Sequence, residues 1–228
     1  GKGTFNVLEA VRRMAPDAKV YQAGSSEMFG LAEGSPQNEQ TPFHPRSPYG
    51  IAKVFAHQTG VLYREAHDLF VANGILFNHE SPRRGANFVT RKIAIAAARI
   101  EAGLEKKLTL GNIDAQRDWG YAPEYVELMW LMLQQDEPDD FVVATGETHS
   151  VQDFLEASFS RVGLNWHDHV EFDEQFERPA EVPLLCGDAS KSLAKLGKAP
   201  KVKFDELVAL MVEAERAAAA AEKKQAER

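Results

Sequence analysis

The sequence predicts an α/β protein: a parallel sheet with crossover helices, joined to a smaller and less regular α/β region. Three observations carry this expectation. Residues 18–23 and 69–77 are short apolar runs bounded by polar, Gly-containing segments, the pattern of buried strands. Between them, the stretch from Pro48 to about His67 keeps helical spacing through Lys53, Ala56, Gly60 and Tyr63, and Pro48 suits a first helical turn. Strand, polar loop, helix and strand make a parallel crossover unit, which gathers its loops at the carboxyl ends of the strands.

The other elements follow in chain order. Residues 3–14 place Phe5, Leu8, Val11 and Met14 at helical spacing, so the chain opens in an amphipathic helix. Residues 30–48, rich in Gly, Pro, Ser and Asn, predict an extended surface loop. After Pro82, Asn87 or Thr90 is the expected cap of a helix through Ile93, Ala97 and Ile100, ended by Gly103. Residues 108–110 predict a strand, 123–135 a helix and 141–145 a strand, and His149-Ser150 opens a helix through Phe154, Ala157 and Phe159. The last third reads as strands near 170–172 and 184–185, then helices over 190–196 and 204–214. Beyond Glu215 strong helix formers continue without large apolar side chains, so a fraying helix is expected.

Composition narrows the function. At 228 residues and 44% hydrophobic content the chain supports a substantial core, while a net charge of -8 argues against nonspecific binding to nucleic acid or an anionic membrane. No apolar run approaches membrane-spanning length, and Gly1-Lys2-Gly3-Thr4 does not read as the start of a signal peptide. Cys186, the single cysteine, allows no internal disulfide; a reducing cytoplasm fits, and a buried structural thiol is expected. His167 and His169 flank Asp168 without a third converging ligand, so no metal is expected.

The chemistry centres on Tyr49-Gly50-Ile51-Ala52-Lys53, downstream of Ser25-Ser26-Glu27. A tyrosine and a lysine four residues apart share a helix face, so the ammonium is placed to lower the phenol's pKa and make Tyr49 a proton acceptor. Such a pair points to redox chemistry at a carbinol carbon. By itself the same spacing also describes an ordinary half-buried helix face, and Ser25 and Ser26 alone are also turn or cap residues. Glu27 alone is also a carboxylate favoured by a helix dipole, and His79 alone a hydrogen-bonded core histidine. Isolated Arg and Lys side chains are usually solvated charges.

Longer motifs decide between these readings. Ser25-Ser26-Glu27-Met28-Phe29-Gly30, Ser47-Pro48-Tyr49-Gly50-Ile51-Ala52-Lys53, Phe77-Asn78-His79-Glu80-Ser81-Pro82-Arg83-Arg84-Gly85 and Gln116-Arg117-Asp118-Trp119-Gly120 resemble the GDP-mannose 4,6-dehydratase family of extended short-chain dehydrogenases/reductases. Ala144-Thr145-Gly146-Glu147-Thr148-His149-Ser150-Val151 and Arg178-Pro179-Ala180-Glu181-Val182 extend the likeness, which reaches to about Glu215. The resemblance implies the C-terminal part of a Rossmann-type parallel sheet with the catalytic residues in 1–82, and mainly a smaller α/β substrate-binding domain, with segments returning to the sheet, in 83–228. It implies conversion of GDP-D-mannose to GDP-4-dehydro-6-deoxy-D-mannose through a tightly held NADP. In this reading Tyr49 takes the C4 hydroxyl proton, Lys53 tunes the tyrosine and bonds the cofactor ribose, Ser25 hydrogen-bonds the reacting oxygen, and Glu27 takes the C5 hydrogen. Tyr49, Lys53, His79 and Arg84 match cofactor contacts; Asn78, Lys92, Arg117, Arg178 and Glu181 match contacts to the GDP-sugar. A homo-oligomer, dimer or tetramer, and a cytoplasmic location are implied too.

The sequence departs from the family at its front. A strand followed by a Gly-x-x-Gly-x-x-Gly turn, which receives the cofactor pyrophosphate on a helix N-terminus, is absent. The 228-residue chain alone is therefore expected to hold NADP poorly and to show no dehydratase activity. A noncatalytic remnant that keeps a GDP-sugar or self-association surface stays open beside the enzyme, and an epimerase is disfavoured by Glu27. Pro183 replaces a commonly acidic residue, and Lys198-Ala199-Pro200 follows Gly197 where the family commonly has tryptophan; both changes bear on packing of the last domain.

Overall fold

The computed structural model describes residues 1–173, 175, 182 and 184–226. The chain runs α1 (Lys2–Met14), β1 (Val20–Ala23), α2 (Pro48–His67), β2 (Val71–Leu76), β3 (Asn78–Glu80), α3 (Val89–Glu101), β4 (Leu108–Leu110), β5 (Gln116–Arg117) and β6 (Trp119–Tyr121). It continues through α4 (Ala122–Met132), β7 (Asp140–Val143), β8 (His149–Ser150), α5 (Val151–Arg161), β9 (Val170–Phe172), β10 (Leu184–Leu185), α6 (Ser190–Leu196) and α7 (Phe204–Ala226). The parallel sheet, the opening helix, the crossover helix and the later helices expected from the sequence are all present.

The main sheet has the order β1-β2-β7, all parallel, with Val20 opposite Val71 and Asn73 opposite Asp140. Helices cover both faces, which is why β2 is buried at every position and reads as a near-continuous run rather than an alternation. Val71 packs with Leu8 of α1 and Tyr63 of α2 on one face. Ala72 and Leu76 pack with Tyr125, Leu128 and Met132 of α4 and Leu196 of α6 on the other. Because α2 is the crossover between β1 and β2, its first turn sits at the carboxyl ends of the strands.

A second core joins Ile93 and Ala97 of α3, Phe154 and Phe159 of α5, and Leu207 and Met211 of α7 around Trp119. Here the tail differs from expectation: α7 continues to Ala226 as one helix. Ala219 is buried, Arg216 pairs with Glu101 at 2.7 Å, Glu222 pairs with Arg99, and the Lys223 ammonium donates to the Ala102 carbonyl at 2.8 Å. Small alanines let α7 lie close along α3 while long charged side chains fasten its edges, a device that a search for large apolar residues overlooks.

Four local expectations also change. The cap of α3 is Phe88, with no side-chain cap; Thr90 lies inside the first turn, and its hydroxyl donates to Glu80 at 2.6 Å. His149-Ser150 is a short strand, with Ser150 as cap of α5: Ser150 Oγ accepts from Asp153 N at 3.0 Å and Asp153 Oδ2 accepts from Ser150 N at 2.7 Å. The 30–48 segment is more than a surface loop. Gln37 is buried and exchanges backbone bonds with Cys186 and Asp188, and the Glu39 carboxylate accepts the Val142 N–H of edge strand β7 at 2.7 Å. Cys186 itself is half-buried rather than buried, and burial followed by the nearby Asp118 charge pushes its thiol up.

Candidate active site

The end of β1 and the start of α2 form one cluster. After Ala23, the Gly24 N–H donates to the Gly74 carbonyl at 2.7 Å, closing the strand pair. Residues Ser26–Met28 then make a single 3-10 turn capped by Ser25, whose Oγ accepts from Glu27 N at 3.3 Å. Ser26 and Met28 are buried, so Ser25 and Glu27 are the partly exposed members of the turn. α2 opens against it: Ser47 Oγ accepts from Gly50 N at 3.0 Å, and a Cβ on Gly50 would lie 2.7 Å from the Glu27 carbonyl oxygen. Tyr49, one residue before that contact, is 54% exposed, which leaves its phenol open to a ligand. One turn later the Lys53 ammonium donates to the Ala23 carbonyl at 2.8 Å and stands 5.6 Å from the Tyr49 ring centre; burial pushes its pKa down. Ser25, Glu27, Tyr49 and Lys53, far apart in the sequence, thus belong to adjoining turns.

The second cluster follows β2. The chain passes through buried Phe77 into β3, which pairs in parallel with β6 so that His79 faces Gly120 and Glu80 faces Tyr121. His79 Nδ1 lies 2.8 Å from the Phe77 carbonyl, and its ring stacks on Tyr125 at 4.9 Å and 19°. Burial pushes the His79 pKa down. Gly120 is required here, since a Cβ would meet the Tyr125 ring at 2.3 Å. The buried Glu80 carboxylate accepts from Thr90 and pairs with Arg84 at 3.3 Å; burial pushes it up more than these partners pull it down. Arg84 in turn lies over the Phe88 ring at 3.7 Å. Asn78 is half-buried at the start of β3.

Of the expected substrate cations, Lys92 on α3 donates to the Thr109 carbonyl at 2.6 Å, and Arg117 on β5 is buried and donates to the Val182 carbonyl at 2.7 Å. Arg178 and Glu181 lie outside the described residues. The residue that sequence reasoning left without a role is Asp118. Its buried carboxylate accepts from Thr145 N at 2.9 Å, Thr145 Oγ1 at 2.7 Å, Gly146 N at 2.9 Å and Gly187 N at 3.3 Å. Burial raises its pKa and these four donors offset part of that rise. A carboxylate beside Trp119 and Gly120 was the available signal, because buried charge is kept only where it is hydrogen-bonded.

The chain matches the family described as GDP-mannose 4,6 dehydratase over residues 1–211. It belongs to that family. GDP-mannose 4,6 dehydratase 1 of Arabidopsis thaliana is 60% identical over 215 residues, covering 92% of this chain and 59% of that protein. The GDP-mannose 4,6 dehydratase of Homo sapiens is 51% identical over 234 residues, covering 94% of this chain and 63% of that protein. The chain therefore spans about three fifths of the length of these dehydratases. The solved structure of RMD from Pseudomonas aeruginosa, complexed with NADPH, superposes with a TM-score of 0.86 at 21% identity, covering 95% of this chain and 73% of that one. At that identity the likeness establishes the fold, and the family assignment rests on the dehydratases.

Proposed function

We propose that this chain carries the catalytic and sugar-binding part of a GDP-mannose 4,6-dehydratase, converting GDP-D-mannose to GDP-4-dehydro-6-deoxy-D-mannose. The observation that supports it is the meeting of the Glu27 turn with the first turn of α2 at the carboxyl end of β1, beside Lys53. Tyr49 takes the proton of the C4 hydroxyl, and the neighbouring Lys53 ammonium favours the charge that this transfer places on the phenol oxygen. Ser25 hydrogen-bonds the reacting oxygen. The C4 ketone acidifies the C5 hydrogen, which Glu27 removes as a proton and passes to the departing C6 hydroxyl, so that water leaves. C5 takes up a proton from solvent when hydride enters C6, and the proton held by Tyr49 returns to solvent. A bound nicotinamide dinucleotide supplies hydride acceptance from C4 and hydride return to C6.

The donor set suits the nicotinamide-ribose end of that dinucleotide. Lys53 has N–H donors beyond the one given to Ala23, and His79 and Arg84 stand past the neighbouring strand end. NADP is the form proposed, supported by the family and by the NADPH complex of the Pseudomonas protein. The sequence contains no Gly-rich turn for the pyrophosphate, so the 228-residue chain alone should turn over poorly or not at all.

Asn78, Lys92, Arg117, Arg178 and Glu181 are proposed to bind the GDP-sugar, with guanidinium groups suited to diphosphate oxygens. The catalytic part is assigned to residues 1–82 and the sugar-nucleotide part mainly to 83–228. A cytoplasmic homo-oligomer, dimer or tetramer, completes the reading; the lone cysteine supports a reducing compartment. The test joins, ahead of Gly1, the portion of the Arabidopsis relative that precedes the part matching this chain, and follows GDP-mannose by NMR. The 4-keto, 6-deoxy product is expected from the joined protein and not from the 228-residue chain. An inert joined protein that is folded and binds NADP would refute the assignment.

A further inference from the structure

α2 carries Tyr49 and Lys53 in its first two turns, so their placement depends on how far along its own axis this helix lies against the sheet. His57 is the next member of the same stripe, four residues after Lys53 and eight after Tyr49. Its side chain is 5% exposed, and Nε2 lies 3.4 Å from Asp140 Oδ2. Asp140 opens β7, and its other oxygen accepts from Arg64 at 2.9 Å and from Asn73 at 2.8 Å. His57 and Arg64 stand two turns apart on α2, so one carboxylate on the sheet grips the helix at two points. Phe43 meets the imidazole edge-on, with ring centres 5.0 Å apart, and Nδ1 has no polar partner among the described residues. The ring is therefore committed to Asp140. Burial alone would raise the Asp140 carboxyl, but the His57 and Arg64 donors outweigh it and hold the acid well below the usual carboxylate range.

We propose that His57 and Asp140 are positioning residues for the Tyr49–Lys53 pair: their contact sets the axial register of α2 and so keeps the Lys53 ammonium on the Ala23 carbonyl. The inference rests on the dehydratase reading for its chemical meaning. Lys53 lies one turn, about 6 Å along the axis, from the clamp, and a slip of about 1 Å at such a site costs about a hundredfold in rate.

The test reads the position of Lys53 without turnover, so it stands or falls separately from that reading. Trace acylation of the lysines across pH, followed by mass spectrometry, gives the ionisation midpoint of Lys53 in the 228-residue chain. Wild type is expected below the ordinary lysine value of 10.5, as burial requires. His57→Phe keeps the ring shape and loses the N–H; its Lys53 midpoint should rise toward that value, with at least about a threefold fall in the acid-dissociation constant. His57→Gln keeps a donor at the reach of Nε2 and should restore the wild-type profile. A Phe variant with unchanged Lys53 labelling overturns the proposal, even if its melting temperature falls, and so does a Gln variant shifted as far as Phe. If the Phe variant does not fold, the Gln variant decides: an unshifted profile supports the clamp and a shifted one removes it.

Discussion

The turn around Glu27 with the start of α2, and the paired strands around Glu80 and Asp118, are built in opposite ways. The first is assembled from local devices: a serine cap at each turn, a proline in the first helical turn, a glycine contact and one lysine bond to a strand end. Its proposed catalytic side chains stay partly exposed. The second is assembled around carboxylates sealed in the interior, Glu80 accepting from Thr90 of α3 and Asp118 from Thr145, Gly146 and Gly187 of distant segments. Groups proposed to exchange protons with a ligand are left accessible, while groups that hold the surrounding segments together are buried and hydrogen-bonded.

Replacing one member of each region should separate the two. In the joined enzyme, Tyr49→Phe and Glu27→Gln should each lower turnover by about 10²–10⁴-fold while leaving the melting temperature near wild type. Asp118→Ala should do the reverse to the scaffold, costing about 3 kcal/mol in chemical denaturation of the 228-residue chain, because backbone N–H groups of Thr145, Gly146 and Gly187 lose their acceptor. A catalytic loss without a stability loss at Asp118 would break the comparison. Ser150→Ala removes the reciprocal cap of α5 and should cost about 1 kcal/mol, read the same way.

The smallest effect concerns pH. The Glu80 acid is raised in the folded chain, so the folded state holds its proton more readily than the unfolded state. Its contribution to stability therefore grows as pH falls through the folded value toward the ordinary 4.5, and diminishes as pH rises. Glu80→Gln should flatten this part of the stability profile in mild acid; a profile identical to wild type would mean that Glu80 does not titrate there.

What the sequence made legible follows the same division. β1, α2 and the Tyr49–Lys53 face were readable because their signals are contained within a few turns: spacing, caps and apolar runs. β3, β5, β6 and β8 were not readable as strands, since their two or three residues lack the apolar runs that marked β4, β9 and β10 and their existence depends on pairing across more than thirty residues, as between Asn78 and Trp119. Asp118, Glu80 and Tyr125 escaped for the same reason, because their partners come together only in the fold. The end of α7 was misjudged because its hold on α3 lies in ion pairs and small side chains.

A single hydrogen can be traced through the reaction. GDP-[4-²H]mannose is given to the joined enzyme and the product is examined by NMR. If Tyr49, Lys53 and Glu27 serve one pocket, deuterium leaves C4 and is recovered at C6 of the same sugar, and Tyr49→Phe slows the appearance of that labelled product by the same factor of about 10²–10⁴. Product whose C6 carries no deuterium, or transfer at the wild-type rate in the Tyr49→Phe variant, would contradict it.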